Sequence, residues 1–327
     1  MKIYQKADKK FPKLTLSIIF KFVIFLLSIF LLVSCNKKNT NSSYSIVTTN
    51  FPCYDFTKEV IGNPEIIKML IKPGLELHSY DPTPQDILAI NNCDVFIYIG
   101  GESDEWVEKI LSGIDTKNKN ILRLIDYVDV FCDDEHHHES HDHDNIEHCH
   151  IHEIDEHIWT SPSNAKKMVK AIENNLSQVF PELAQDFVAN AENFYRNIDE
   201  IIFDIHAIVE KAPQKFIVMG DRFPFKYFVD EFGLESASAF SGCSTAVEAS
   251  PQTIKNLIDT VKEKKLKTVF HIELSNQKIA KAIAEECGVG ITLLHSAQNV
   301  SKDEFENGIS YITLMRDNAK RLKENLY

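Results

Sequence analysis

The chain has 327 residues, enough for one large or two medium domains that each bury a core. Its hydrophobic fraction of 44% and charged fraction of 25% are ordinary for a globular protein. Its net charge of −13 argues against nucleic acid as a partner and favours cationic ligands or simple solubility.

The first elements along the chain are those of an export signal. Five of the first thirteen residues are lysines, and the apolar run FVIFLLSIFLLV follows at 22–33. This order predicts a secretory signal peptide over residues 1–34. The alternative is an uncleaved anchor helix, but Lys21 interrupts the span and the apolar run is short for a bilayer. In both cases the body of the protein lies outside the cytoplasm.

The sequence LVSC at 32–35 resembles the bacterial lipobox. This resemblance implies that Cys35 is diacylated and anchors the protein to the cell membrane, on the outer face of the cytoplasmic membrane or on the periplasmic side. Residues 35–43 then form a polar tether. Without residues 1–34, which hold six Lys and one Asp, the net charge becomes about −18.

The remaining cysteines are even in number, and an oxidising compartment permits disulfides. Cys53 and Cys93 fall in the first of the two lobes predicted below, and Cys243 and Cys287 fall in the second. This shared location alone suggests the pairs Cys53–Cys93 and Cys243–Cys287. Cys149 lies among histidines and is instead a possible metal ligand, and Cys132 is left without a suggested partner.

Residues 44–130 alternate β-rich runs with amphipathic segments, which predicts βαβ units and a parallel sheet. The predicted strands are YSIVTTN, EIIKMLI, DVFIYIG and NILRLI, and the helical segments are TKEVIG, PQDILAINN and SDEWVEKILSG. We expect an N-terminal α/β lobe over residues 44–180, interrupted by a His/acid-rich loop at 133–156.

A helix of about thirty residues is predicted at 181–212. This stretch contains no glycine, and its apolar residues recur at steps of three and four. At 1.5 Å per residue it would be about 45 Å long, too long for an ordinary crossover helix. It therefore predicts one long, rigid helix that joins two lobes.

The β/α alternation returns at 213–327. The predicted strands are KFIVM, LESASAF, KTVFHIE and GITLL, and the predicted helices are PFKYFVDEF, PQTIKNLIDTVKEK, NQKIAKAIAEEC and a closing helix from about Asp303. The fold class is therefore α/β: two β/α lobes with mainly parallel sheets, joined by the long helix.

Nine of the thirteen histidines lie between Asp133 and Trp159, with ten acids and no Lys or Arg. The segment HEIDEH at 152–157 invites comparison with the zinc-protease motif HExxH. Its two histidines are five positions apart, however, so on a helix they would not share a face. No nucleophile elbow, P-loop or dinucleotide fingerprint occurs elsewhere, so we expect that the protein is not an enzyme. The alternative, a zinc hydrolase, would show catalytic turnover that is abolished by chelators.

Three histidines stand at loop entries where α/β proteins bind ligands. His78 and His295 follow strand-like runs, and His157 precedes a helix that Ser161 or Ser163 can cap. His271 alternates inside a strand, which favours a core or sheet-face position. His206 belongs to the long helix, which favours a surface or packing role.

Several motifs resemble the zinc/manganese substrate-binding lipoproteins of bacterial ABC transporters. They span nearly all of residues 44–327 in the right order: HSYDPTPQDI (78–87), DVFIYIGGESDEW (94–106), HIWTSPSNA (157–165), KFIVMGDRFPFKYFVDEFGL (215–234) and ITLLHSAQNVSKDEFENGISYITLMRD (291–317). The resemblance implies a two-lobed metal-binding fold with metal ligands at His78, His157 and His295. The remaining ligand falls on Asp221 with a one-residue offset from the family pattern. An ion pair with Arg222 or a helix cap is the alternative role of Asp221, and a hydrogen-bonded loop residue is the alternative for His295.

The resemblance also implies capture of Zn²⁺ between the lobes, as a monomer, and delivery to an ABC permease and its ATPase. Three imidazoles and one carboxylate suit Zn²⁺ better than Mn²⁺. The same fold tuned for Mn²⁺, or a surface adhesin or metal-storage lipoprotein, are the alternatives. Because neutral imidazoles are required, affinity should fall as pH drops through about 6.5.

The resemblance also implies that the His/acid-rich loop is an accessory that binds zinc loosely and passes it on, as is proposed for its counterpart in the family. The residues that would do so here are His136, His137, His138, His141, His143, His148, His150 and His152. A disordered acidic insert without a role is the alternative.

Overall fold

The computed structural model describes residues 45–117, 119–131, 154–240 and 249–327. The signal peptide, Cys35, the tether, the eight loop histidines and the cysteines at 132, 149 and 243 lie outside these residues. Within the described part of the chain, no helix combines the length and apolar character needed to cross a bilayer.

Four parallel strands form the first sheet, in the order β2-β1-β3-β4. They are β1 (Ile46–Thr48), β2 (Ile67–Met69), β3 (Val95–Tyr98) and β4 (Asn120–Arg123). Alternate β3 residues enter two separate apolar clusters, with Val95 and Ile97 in one and Phe96 and Tyr98 in the other. A strand buried on both faces explains why this run has no polar alternation.

Four helices accompany this sheet: α1 (Phe51–Ile61), α2 (Pro84–Asn92), α3 (Glu105–Ser112) and α4 (Pro162–Val179). Caps fix their starts. Thr83 and Asp86 form a capping box on α2, and the Ser161 hydroxyl caps α4 by accepting from the Asn164 amide at 3.1 Å. Ser161, of the two candidate serines, is therefore the cap.

The second sheet repeats the first, with four parallel strands in the order β6-β5-β7-β8. They are β5 (Phe216–Met219), β6 (Glu235–Ser238), β7 (Thr268–His271) and β8 (Gly290–Leu293). The helices are α6 (Lys226–Phe232), α7 (Pro251–Glu263), α8 (Lys278–Cys287), α9 (Lys302–Glu306) and α10 (Tyr311–Leu326). The predicted closing helix is thus two helices, because Gly308 adopts a left-handed φ of 74° and Ser310 caps a new start.

Helix α5 (Ala184–Lys211) stands between the two sheets in the chain and is 28 residues, or about 42 Å, long. A 3₁₀ turn, Pro181–Leu183, precedes it. Its buried stripe recurs at helical spacing and packs against α1, α4 and α10: Phe187, Ala191, Phe194, Ile198, Ile201, Ile205 and Val209. The α/β fold with one long helix, predicted from the sequence, is confirmed.

The suggested disulfide between Cys53 and Cys93 is wrong. Both are buried free thiols, and they belong to two different apolar clusters. Each sulfur has its own local contact: Thr49 donates to Cys53 at 3.9 Å, and Cys93 donates to the Ile90 carbonyl at 3.2 Å. Cys287 is also a free thiol.

Candidate metal site

Two of the four predicted ligands, His78 and His157, lie side by side. His78 stands in the loop between β2 and α2, and His157 directly precedes the 3₁₀ turn Ile158–Thr160 that leads into α4. Their ring centroids are 5.6 Å apart, and their side chains are only 15% and 6% exposed. The N-terminal lobe therefore brings two buried imidazoles together.

A local turn orients His157. One carboxylate oxygen of Asp155 accepts from the His157 backbone amide at 2.9 Å and lies 2.8 Å from its ring Nδ1. Because a carboxylate only accepts, Nδ1 carries the proton and the other nitrogen, Nε2, keeps its lone pair. Carboxylates hold metal-binding histidines in this way.

Glu156 completes a cluster that the sequence analysis missed. His78, Glu156 and His157 each offer one donor atom, and the three atoms lie within 4.8 Å of one another. The missed signal was GGES at 100–103. Gly101 has a φ of 145°, and a Cβ there would lie 2.5 Å from the Cβ of Glu156, so only glycine leaves room for this side chain.

Ser103 connects Glu156 to His78. The Ser103 amide donates to Glu156 Oε2 at 2.8 Å, and its hydroxyl contacts Glu156 Oε1. The same hydroxyl lies 2.8 Å from His78 Nδ1. In the first lobe, therefore, the Asp155 carboxylate contacts the His157 ring, and the Glu156 carboxylate is linked to the His78 ring through the Ser103 hydroxyl.

His295 lies in the second lobe, just after β8, and is 1% exposed. Asn318 holds its backbone: His295 donates to the Asn318 Oδ1 at 2.9 Å, and the Asn318 amide donates to the His295 carbonyl at 2.8 Å. Its ring Nδ1 accepts from the Ala297 amide at 2.9 Å, while Glu273 lies 3.6 Å away. In its neutral form this ring therefore carries its proton on Nε2, opposite to His157.

Asp221 follows β5 and is held by its neighbour. Its Oδ1 accepts from the Arg222 amide at 2.9 Å. The Arg222 guanidinium reaches the other lobe and pairs with Glu76 at 2.9 Å. Neither Asp221 nor His295 belongs to the 4.8 Å cluster, so the structure does not bring all four predicted ligands together.

Predicted ligands in both lobes have buried polar atoms without a hydrogen-bond partner. Among the described residues, Nε2 of His78, Nε2 of His295 and Oδ2 of Asp221 are buried without a hydrogen-bond partner. Such atoms are rare in folded proteins because each costs about 1–3 kcal/mol. A cavity of about 160 Å³ lies between the lobes, with Glu76, Arg222 and Glu273 in its wall. None of the three predicted ligands lines it, but Leu77 and Arg222, which do, are the chain neighbours of His78 and Asp221.

The other described histidines have packing roles. His206 is exposed on α5 and contacts the Phe232 ring at 4.9 Å. His271 is buried in β7, with its Nδ1 2.9 Å from the Ile272 carbonyl.

Burial, reinforced by the neighbouring His157, lowers the pKa of His78 from 6.5 to about 4. Between these values the unfolded chain holds a proton that the folded chain lacks, so stability falls as pH falls through that window, by roughly 3 kcal/mol at most. We expect the His78 ring to titrate near pH 4 in NMR and near 6.5 in urea. With this pKa the His78 ring is neutral, and so available to a metal, at pH 5. A native midpoint near 6.5 would contradict this.

The comparisons with known proteins agree with these features. The family model described as "ZnuA: Zinc-uptake complex component A periplasmic" matches residues 46–325. The chain is 30% identical over 299 residues to the zinc-binding lipoprotein AdcA of Streptococcus pneumoniae, covering 91% of this chain and 59% of that protein. It is 28% identical to the high-affinity zinc uptake system protein ZnuA of Bacillus subtilis, covering 91% and 94%. The chain thus spans about three fifths of the streptococcal relative.

Solved structures show the same architecture. The Zn(II)-bound ZnuA-like domain of S. pneumoniae AdcA superposes with a TM-score of 0.71 at 27% identity, covering 86% of this chain and 98% of that domain. The metal-dependent lipoprotein YcdH of B. subtilis gives 0.73 at 25% identity, covering 87% and 100%. From the family match over nearly the whole described chain, the protein belongs to the ZnuA family of zinc-uptake components.

Proposed function

We propose that this protein captures Zn²⁺ outside the cytoplasm, in the cleft between its two lobes, and delivers it to an ABC permease and its ATPase. The supporting observation is that His78 in one lobe and His295 and Asp221 in the other each have a buried polar atom without a hydrogen-bond partner. Their chain neighbours join the two lobes, through the Arg222–Glu76 ion pair and the bond from Trp159 to the Ser296 carbonyl. Membership in the zinc-uptake family and the names of the relatives support the choice of metal and the transport role. The role is that of a transport component and not of an enzyme.

The proposed ligands are His78, His157, His295 and Asp221. The first two are adjacent already, so we propose that zinc binds to this pair first. His295 then has to exchange its Ala297 contact for one with Glu273, which moves the proton to Nδ1 and frees Nε2. Movement of the second lobe brings His295 and Asp221 to the metal and closes the cleft.

The donor set favours Zn²⁺ over Mn²⁺, because imidazole nitrogens outnumber oxygens. We further propose that a lipid on Cys35 holds the mature protein at the membrane and that the lobes extend over 44–180 and 213–327, joined by 181–212. The histidines of the 133–156 loop would bind zinc more weakly and pass it on to this site.

Zinc titration by chelator competition tests the proposal. It uses residues 36–327, which contain the whole compact unit Tyr44–Tyr327, with and without Asp133–His152. We expect one tight site in both forms, and additional weak sites in the longer form only. Loss of the tight site together with the loop would overturn the proposal, because the loop itself would then be the site.

A further inference from the structure

We propose that Ser103 and Glu156 are positioning residues that hold His78 in the tautomer that offers Nε2 to the metal. This inference rests on the proposed function, because it concerns how one ligand of that site is prepared. Neither residue needs to contact the metal for this role.

The hydrogen-bond directions lead to this conclusion. A carboxylate only accepts, so the single hydroxyl proton of Ser103 points to Glu156 Oε1. The Ser103 oxygen, 2.8 Å from His78 Nδ1, must then accept from that nitrogen. The proton of the neutral His78 ring therefore lies on Nδ1, and Nε2 keeps the lone pair that a metal requires.

The fold makes this arrangement rigid. Ser103 and Glu156 are 8% and 5% exposed and are 53 positions apart in the chain. The Ser103 amide donates to the second carboxylate oxygen at 2.8 Å, so serine binds both oxygens. Gly101 leaves the space that the glutamate occupies.

The same contacts disfavour a metal that takes the place of the Ser103 amide on Glu156, although Glu156 lies in the donor cluster. Both of its oxygens accept from Ser103. A metal that displaced Oε2 would leave a buried backbone amide without a partner, at a cost of about 1–3 kcal/mol.

Glu156→Gln gives the sharpest test. The amide oxygen has to face the Ser103 amide, so the new NH₂ group donates to the Ser103 hydroxyl oxygen. The hydroxyl proton then turns to His78 Nδ1, and the ring proton moves to Nε2. We expect the His78 tautomer to reverse and zinc affinity to fall about 10- to 100-fold.

The measurement is a long-range ¹H–¹⁵N spectrum of ¹⁵N-histidine-labelled residues 36–327 without metal, at neutral pH, with the His78 signal assigned from its loss in His78→Gln. Ser250→Ala, which removes the exposed cap of α7, is the control and should change neither the tautomer nor the affinity. In Ser103→Ala the Glu156 carboxylate, whose Oε1 lies 3.4 Å from His78 Nδ1, is the remaining acceptor, so the Nδ1–H tautomer should persist.

An unchanged tautomer in Glu156→Gln overturns the inference; if zinc affinity nevertheless falls, Glu156 is a ligand. Because the tautomer is read without metal, a wild-type protein that shows the Nδ1–H form but no tight zinc site would contradict the proposed function alone.

Discussion

Replacing His157 with alanine should reduce zinc affinity roughly 10²- to 10³-fold. Structural zinc sites bind with about 10–16 kcal/mol, and an equal share for each of four ligands is about 3–4 kcal/mol. His157 is 5% exposed, and Asp155 binds both its backbone amide and its ring. A neighbouring side chain therefore cannot easily replace it as a metal ligand. Chelator competition on residues 36–327 lacking Asp133–His152 measures the loss without the loop histidines.

His206→Ala is the matched control, because it removes an exposed imidazole on α5. Its affinity should equal that of the wild type. Equal affinities for His157→Ala and His206→Ala would show that the adjacent histidine pair is not part of the site.

Replacing Trp159 with alanine should lower the free energy of unfolding by about 3–5 kcal/mol. Trp159 is fully buried, and its indole nitrogen donates to the Ser296 carbonyl in the second lobe at 2.9 Å. Its own carbonyl accepts from the Tyr311 hydroxyl at 2.7 Å. The substitution therefore leaves a large void and a buried carbonyl at Ser296 without its donor.

Urea unfolding of the metal-free protein, followed by far-ultraviolet circular dichroism, measures this loss. Phe203→Ala removes a ring that is 73% exposed on α5 and should change stability by less than about 0.5 kcal/mol. A loss below 1 kcal/mol for Trp159→Ala would mean that this side chain does not carry the contact between the lobes.

The fold could be predicted from the sequence because its strands are short apolar runs between capped helices. DVFIYIG is buried on both faces as β3, and the stripe from Phe187 to Val209 is the buried face of one helix. Short interruptions within a helix were harder to predict from the sequence. The closing helix was predicted as continuous because the left-handed turn at Gly308 interrupts an otherwise helical pattern only briefly.

The site could be predicted only in part. His78 and His157 stand at loop entries, so their adjacency follows from the parallel topology. Glu156 and Ser103 were missed because their contact joins positions 53 residues apart and depends on the backbone of Gly101. The Cys53–Cys93 pair failed for the same reason, since membership in one lobe does not reveal which side of a sheet each thiol occupies.

Anomalous scattering at the zinc edge, from crystals of the zinc-loaded protein, tests the central claim most directly. The account predicts one strong peak about 2.0–2.1 Å from Nε2 of His78, His157 and His295, with Asp221 as the fourth ligand. A strong peak bound only by residues 133–152, or by the His78, Glu156 and His157 cluster without the second lobe, would contradict it.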